Sequence, residues 1–371
     1  MQFAFQSVGG SALLLLTLAA CATPTPPITA TRAIESVTPT RVAISATLST
    51  ATPTATSTST FTPTLTPTRT DTPTPTPTPT PHPDLIAATI EGLRARQYLG
   101  GQIRITNTIT VTDAYTRTYI TYPSDGLTIS GLMHVPFGPG PFPVVILNHG
   151  YIPPSQYVTG SDTYRAADIL ARHGYLTISP DFRGYARSDN GLNLFRTGYM
   201  IDALNAVASV KSLPYADATR IGMWGHSMGG GVTTRAMVVS NAIKAFVLYA
   251  PVSADVHVRR YNYAFGGATA TTNEPDLLDS MFYWSSNSQM LDALSPIHYF
   301  QYVSAPVQIH IGQMDTTVDP KWSADIRDEL SKQGKYVEYY EYPRQAHAFV
   351  GSAWDLFNQR VVAFFDTYLK R

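Results

Sequence analysis

Gly225-His226-Ser227-Met228-Gly229 combines residue types and spacing that suit nucleophilic chemistry. A G-x-S-x-G run between a strand and a helix turns the chain sharply, because the glycines spare both neighbours a side-chain clash. The serine hydroxyl then stands at the carboxyl end of the strand. Residues 220–225 read as a strand and residues 230–240 as a helix, which is the setting the motif requires. A serine hydroxyl is a weak nucleophile at neutral pH. It needs an imidazole to take its proton and an acid to orient that imidazole.

Nine histidines are present. For an elbow of this kind the order along the chain is serine, acid, histidine. His82 lies in a low-complexity stretch, and His134, His149, His173 and His226 all precede Ser227. His310 falls inside an expected strand, and His257 and His298 flank an irregular segment. His347 sits in the loop YPRQAHAFVG after the last expected strand, where an imidazole can be presented at the sheet edge, so it is the expected base. Asp319 precedes Pro320 and suits a helix N-cap. Asp315, in HIGQMDTTVDP, has no such structural explanation and is the expected orienting acid, with Asp255 in reserve. Acyl transfer also builds an oxyanion that needs preorganised N–H donors. The Met228 amide is one expected donor. The second is the Tyr151 amide, in the loop where Gly150 lets the backbone approach closely.

The elements that must position these groups occupy residues 84–371. A helical spacing covers residues 84–98. Strands over residues 102–112, 115–122 and 127–135 alternate and should pair antiparallel at a sheet edge. From Pro143 the pattern becomes strand–helix alternation, beginning with the continuous apolar run VVILN, which reads as a strand buried on both faces. Further strands are expected over 175–180, 220–225, 243–250, 307–311 and 336–342, and helices over 164–173, 198–212, 230–240, 321–333 and 354–370. Such alternation predicts an α/β fold with a mostly parallel central sheet and helices on both faces. Residues 251–300 interrupt it and are rich in aromatic residues. They are expected to form a small cap, with Tyr261, Tyr263, Phe265, Phe282 and Trp284 lining a substrate pocket; ordinary helical packing is the competing expectation. Arg183, in a turn after the second buried strand, reads as a structural ion-pair former.

The set NHG at 148–150, PDFRGYARS at 180–188, GHSMGG at 225–230, SPI at 295–297, IGQMDTTVDP at 311–320 and AHAF at 346–349 resembles the α/β-hydrolase fold. Within it the chain is most similar to the catalytic domain of the prolyl oligopeptidase family and its dienelactone-hydrolase-like relatives, over roughly residues 115–370. The resemblance implies a Ser227–Asp315–His347 triad, with no cofactor and no metal. Family peptidases often carry a β-propeller ahead of this domain, whereas a tether and a few strands precede it here.

The N-terminal 83 residues divide in two. Residues 1–21 hold a nine-residue apolar stretch, Ala12–Ala20, too short to span a bilayer, which takes about 20 residues, and fitting a secretory signal. The run ends in Leu18-Ala19-Ala20-Cys21, which resembles a bacterial lipoprotein signal with Cys21 as the lipidated residue; an ordinary cleaved signal is the alternative. Residues 22–83 contain 23 Thr and 13 Pro, and 36 of 62 positions of these two types favour extended polyproline II over helix or sheet. Such a tether spans on the order of 190 Å when fully extended at about 3.1 Å per residue.

Composition narrows the function. Lys+Arg and Asp+Glu are both 26, so the chain lacks the basic surplus that phosphate contacts demand, and no nucleic-acid partner is expected. One cysteine leaves no intramolecular disulfide framework and no multi-thiolate metal site. The expectation is an exported serine hydrolase acting on a small-molecule ester or a short peptide, with esters favoured. It would be held at the outer face of the cell membrane by its lipid anchor, or secreted if Cys21 is not lipidated, and no protein partner is identifiable. A serine-type peptidase is the first alternative, and a non-catalytic surface-binding domain on the same fold is the second.

Overall fold

The computed structural model describes residues 80–259 and 275–370. The expected export signal, nearly all of the tether, and Tyr261, Tyr263 and Phe265 lie outside these residues. Among the described residues nine strands form one sheet: β1 (Arg104–Val111), β2 (Tyr115–Ser124), β3 (Leu127–Pro136), β4 (Phe142–Asn148), β5 (Leu176–Pro180), β6 (Ala216–His226), β7 (Ala245–Tyr249), β8 (Val307–Gly312) and β9 (Val337–Tyr342). Their lateral order is β1-β2-β3-β5-β4-β6-β7-β8-β9. The first three strands and β5 pair antiparallel, and every pair from β5 to β9 is parallel. The hairpin between β2 and β3 turns on Asp125-Gly126, both at positive φ (50° and 79°), the twist-matched geometry that a two-residue Asp-Gly loop adopts readily.

The apolar run at β4 sits in the middle of the sheet and is buried along its whole length. Successive side chains alternate faces. Val144 and Ile146 join a core with residues of helices Thr197–Ser209, Met228–Val239 and Pro320–Lys332. Val145 and Leu147 join a second core with helices Tyr164–Arg172 and Ser352–Leu369. This two-sided cover explains why the central strands read as continuous hydrophobic stretches and β2 does not.

Three local differences from the sequence expectation have clear causes. The helix expected over 84–98 is two short helices, Pro83–Ala88 and Ile90–Ala95. Thr89 adopts an extended backbone between them, and its hydroxyl caps the second helix at Gly92 N–H (3.1 Å). His82 caps the first helix by accepting from Asp84 N–H, so the packed chain begins before residue 84. Part of the expected cap is helical packing. Helices Pro275–Trp284 and Ser288–Leu294 place Leu277, Met281, Trp284 and Met290 in the second core, and Trp284 is only 8% exposed. Helical packing accounts for Trp284, which was expected on a pocket wall. Phe282 lies on the same helix.

Arg183 is the structural ion-pair former that its turn suggests. It meets Asp202 at 2.8 Å, and both side chains are almost fully buried. Ser124 donates to the same carboxylate (2.7 Å), as does the Arg183 backbone amide (2.8 Å). Asp202→Ala strands a buried guanidinium, and equilibrium urea unfolding should show a loss of about 3–5 kcal/mol. A loss under about 1 kcal/mol would contradict the role of the pair.

Candidate active site

Four loops at the carboxyl ends of parallel strands supply the site, the place where ligands bind in sheets of this type. Ser227 follows β6 at φ 54°, ψ −115°, a left-handed conformation that side chains rarely adopt. It is held there by its N–H donating to Tyr249 C=O (2.9 Å) and by its own carbonyl accepting from Val252 and Gly231 N–H (3.2 Å each). The flanking glycines are required by contact. A β-carbon on Gly225 would stand 2.2 Å from Gly229 O, and one on Gly229 would stand 2.0 Å from Asn148 O. These are backbone neighbours that cannot swing aside.

Asp315 follows β8 and His347 follows β9. Asp315 Oδ2 accepts from His347 Nδ1 at 2.7 Å, and Oδ1 accepts from the Thr317 and Val318 amides (2.8 and 3.0 Å). Burial works to raise the Asp315 pKa, but the His347 bond and the two amides more than offset it and hold the carboxyl below its ordinary range. A depressed carboxyl contributes above its ordinary value, and that contribution fades as pH falls through the lowered one. Nδ1 therefore carries the proton that Asp315 accepts, and Nε2 is the free face of the imidazole. The His347 ring lies 4.7 Å from the ring of His226, the residue next to Ser227. The Ser227 hydroxyl and the imidazole are not hydrogen-bonded in this resting geometry; such bonds often tighten only in the substrate complex.

The loop after β4 packs directly on the elbow. A β-carbon on Gly150 would lie 3.3 Å from Ser227 Cβ and 3.1 Å from Asp162 Oδ2, a tight fit that brings this loop against the elbow. Met228 opens a helix, where its N–H has no intrahelical acceptor. Tyr151 follows Gly150 with its side chain half exposed. The helix start at Met228 and the loop that carries Tyr151 thus both adjoin Ser227.

The remaining candidates have other partners. Asp319 caps helix Pro320–Lys332 through the Lys321 amide, as its sequence context suggests. Asp255 accepts from the His257 amide in a local turn. His257 and His298 both pair with Asp292, and His310 is buried between Gln308 and Tyr342. Two residues with no role in the sequence reading stand inside the site: Asp162 pairs with His226 at 2.8 Å and accepts from Gly150 N–H at 2.6 Å. His226 is the variable second position of the motif, and Asp162 lies in a patternless loop. The only signal was the spelling of the motif itself.

The mostly parallel sheet with a strained serine elbow, and an Asp–His pair on the loops after β8 and β9, define an α/β-hydrolase with the constellation of a serine hydrolase. A profile of the prolyl oligopeptidase family matches residues 162–371, and the chain belongs to that family. It is 25% identical over 235 residues to the uncharacterized peptidase YuxL of Bacillus subtilis (strain 168), covering 60% of this chain and 34% of that one. Among solved structures it resembles Pyrococcus horikoshii acylaminoacyl peptidase, with a TM-score of 0.55 at 22% identity over 70% of this chain and 43% of that one. It also resembles acetyl xylan esterase 1 from Thermoanaerobacterium sp. JW/SL YS485, with a TM-score of 0.53 at 16% identity over 76% of this chain and 92% of the esterase. The chain thus spans about a third of YuxL and under half of the acylaminoacyl peptidase, and these structural likenesses are likenesses of fold.

The contacts at the elbow make a stability prediction. Gly229→Ala forces a methyl into the Asn148 carbonyl, and thermal or urea unfolding should report a loss of at least about 2 kcal/mol. Wild-type stability in this variant would mean that the elbow and the β4 loop are not in contact.

Proposed function

We propose that this protein is an exported serine hydrolase that forms an acyl-enzyme on Ser227, with carboxylic esters as its preferred substrates. The observation that carries the chemistry is the 2.7 Å Asp315–His347 bond, with the imidazole set against the Ser227 elbow. His347 Nε2 takes the Ser227 proton as the hydroxyl attacks the substrate carbonyl. Asp315 keeps Nδ1–H in place and stabilises the imidazolium. The Met228 and Tyr151 amides receive the oxyanion, and His347 then protonates the leaving group. Water activated by the same imidazole releases the acyl group.

The ester preference is supported by the fold likeness to an acetyl xylan esterase. Peptide bonds are the second reading, favoured by membership of the prolyl oligopeptidase family. A non-catalytic role on the same fold predicts no turnover at all. Ser227→Ala and His347→Ala should each lower kcat on p-nitrophenyl acetate by at least about 10³-fold, and Asp315→Asn by about 10³–10⁴-fold. An alkyl fluorophosphonate should label wild-type Ser227 and leave Ser227→Ala untouched. No turnover and no labelling would remove the hydrolase reading. Faster turnover of aminoacyl- or prolyl-anilides than of any p-nitrophenyl ester in a chain-length series would replace the esterase reading with the peptidase one.

Export and anchoring are supported by the apolar stretch Ala12–Ala20, the small residues before Cys21, and the Thr/Pro tract that follows. Lipidation of Cys21 places the catalytic domain outside the cell, tethered to the membrane surface. Cells fed an alkyne fatty acid should incorporate it into the wild-type protein, and Cys21→Ser should release the protein into the medium or periplasm. Wild-type protein with no incorporated lipid would make it a secreted or differently held enzyme.

A further inference from the structure

Asp162 and His226 sit inside the site, yet the triad and oxyanion donors use neither. Asp162 is held in a left-handed turn (φ 70°) just before helix Tyr164–Arg172. Its Oδ2 accepts Gly150 N–H at 2.6 Å, and its two oxygens face His226 Nδ1 at 2.8 and 2.9 Å. His226 Nε2 lies 3.3 Å from the backbone carbonyl of His347. The imidazole therefore faces an acceptor at each end. A neutral imidazole carries one N–H, and only the doubly protonated ring satisfies both neighbours.

We propose that Asp162 and protonated His226 form a clamp that positions the oxyanion loop and the base loop against each other across the Ser227 elbow. The clamp rests on the hydrolase reading of this site, and it assigns positioning roles, since neither side chain reaches a reacting atom. Fixing the Gly150 amide aims the next N–H, that of Tyr151. Fixing the His347 carbonyl sets the backbone that carries the imidazole. His226 is itself pinned by stacking on Tyr249 (4.4 Å) and by its place in the elbow.

The electrostatics agree. Burial works against the His226 imidazolium, but the charge and hydrogen bond of Asp162, the His347 carbonyl and the charge of Asp315 outweigh it, and the His226 pKa is raised. Burial also opposes the Asp162 carboxylate, yet His226, the Gly150 amide and His149 hold its pKa below the ordinary value. The groups facing His226 are thus Asp162 from the loop before its helix, Asp315 from the β8 loop, His347 from the β9 loop, and Tyr249 from β7, with His149 of the β4 loop acting on Asp162. The sign follows. A raised histidine contributes fully below its ordinary value and is lost as pH climbs through the raised one. A depressed carboxylate is lost only as pH drops through its lowered value.

The test is the pH profile of kcat and KM for p-nitrophenyl acetate, using the full chain and its Asp162→Asn, His226→Asn, His226→Gln and His226→Ala variants. Wild-type kcat should fall on the alkaline side as the clamp loses its proton. In Asp162→Asn that fall should move to lower pH, and kcat at pH 7 should drop about tenfold with KM within twofold, the scale of one lost charged hydrogen bond. His226→Asn keeps a donor toward Asp162 and His226→Gln keeps one toward the His347 carbonyl. Each should lose the alkaline fall yet retain more kcat than His226→Ala. A wild-type profile in a folded Asp162→Asn variant would overturn the clamp. A variant that does not fold leaves a second arm, ¹⁵N-imidazole NMR of the untagged wild-type protein at pH 7.5. One histidine should hold both ring protons there, and nine neutral rings would overturn the proposal. Absent turnover in the wild type would instead count against the hydrolase reading, and the NMR arm would still decide the clamp.

Discussion

The backbone of Ser227 is the constraint on which the site depends. At φ 54° and ψ −115° it is strained, and a non-glycine residue stays there only when its surroundings leave no alternative. The surroundings here are three chain segments in direct contact. Strand β6 delivers the residue, helix Met228–Val239 leaves it, and the β4 loop presses on it from the side. The closest approaches need a missing β-carbon, at Gly225 and Gly229, and Gly150 leaves little room beside them. The twisted parallel sheet brings β4 and β6 side by side, so the contact between their carboxyl ends follows from topology. The arrangement holds the serine at the carboxyl end of β6, with the β4 loop and the start of helix Met228–Val239 beside it.

Around that elbow stand two histidine–carboxylate pairs of opposite character. In the Asp315–His347 pair one nitrogen faces the acid and the other is left for chemistry. In the Asp162–His226 pair both nitrogens face acceptors, leaving none to react. The pairs meet ring to ring at 4.7 Å. In the proposed roles one histidine is a base and the other a brace, and the difference lies in what each ring nitrogen touches.

Much of this was legible from local sequence because the signals were local. The elbow is a contiguous pentapeptide, β4 is an unbroken apolar run, and Asp319-Pro320 writes a helix start. Asp315 and His347 were reached through their place after strands, and the structure joins them. What stayed hidden depends on contacts distant in sequence. Asp162 meets His226 across 64 residues with no periodic pattern to mark it. The break at Thr89 escaped the apolar spacing because Leu85 and Ile86 before the hydroxyl cap and Ile90 and Leu93 after it read as one helical run. Trp284 reads equally as a pocket wall or a core residue, since an aromatic side chain serves both, and only burial separates the two.

The proposed chemistry depends on an imidazole at residue 347 serving an activated hydroxyl at residue 227. A crystal structure of the enzyme after reaction with an alkyl fluorophosphonate tests this most directly. The phosphonyl group should be bonded to Ser227 Oγ, with its oxygen accepting from the Met228 and Tyr151 amides. His347 Nε2 should lie within hydrogen-bond distance of Ser227 Oγ or the adduct. An adduct on another residue, or an imidazole still out of reach of Ser227, would contradict the account.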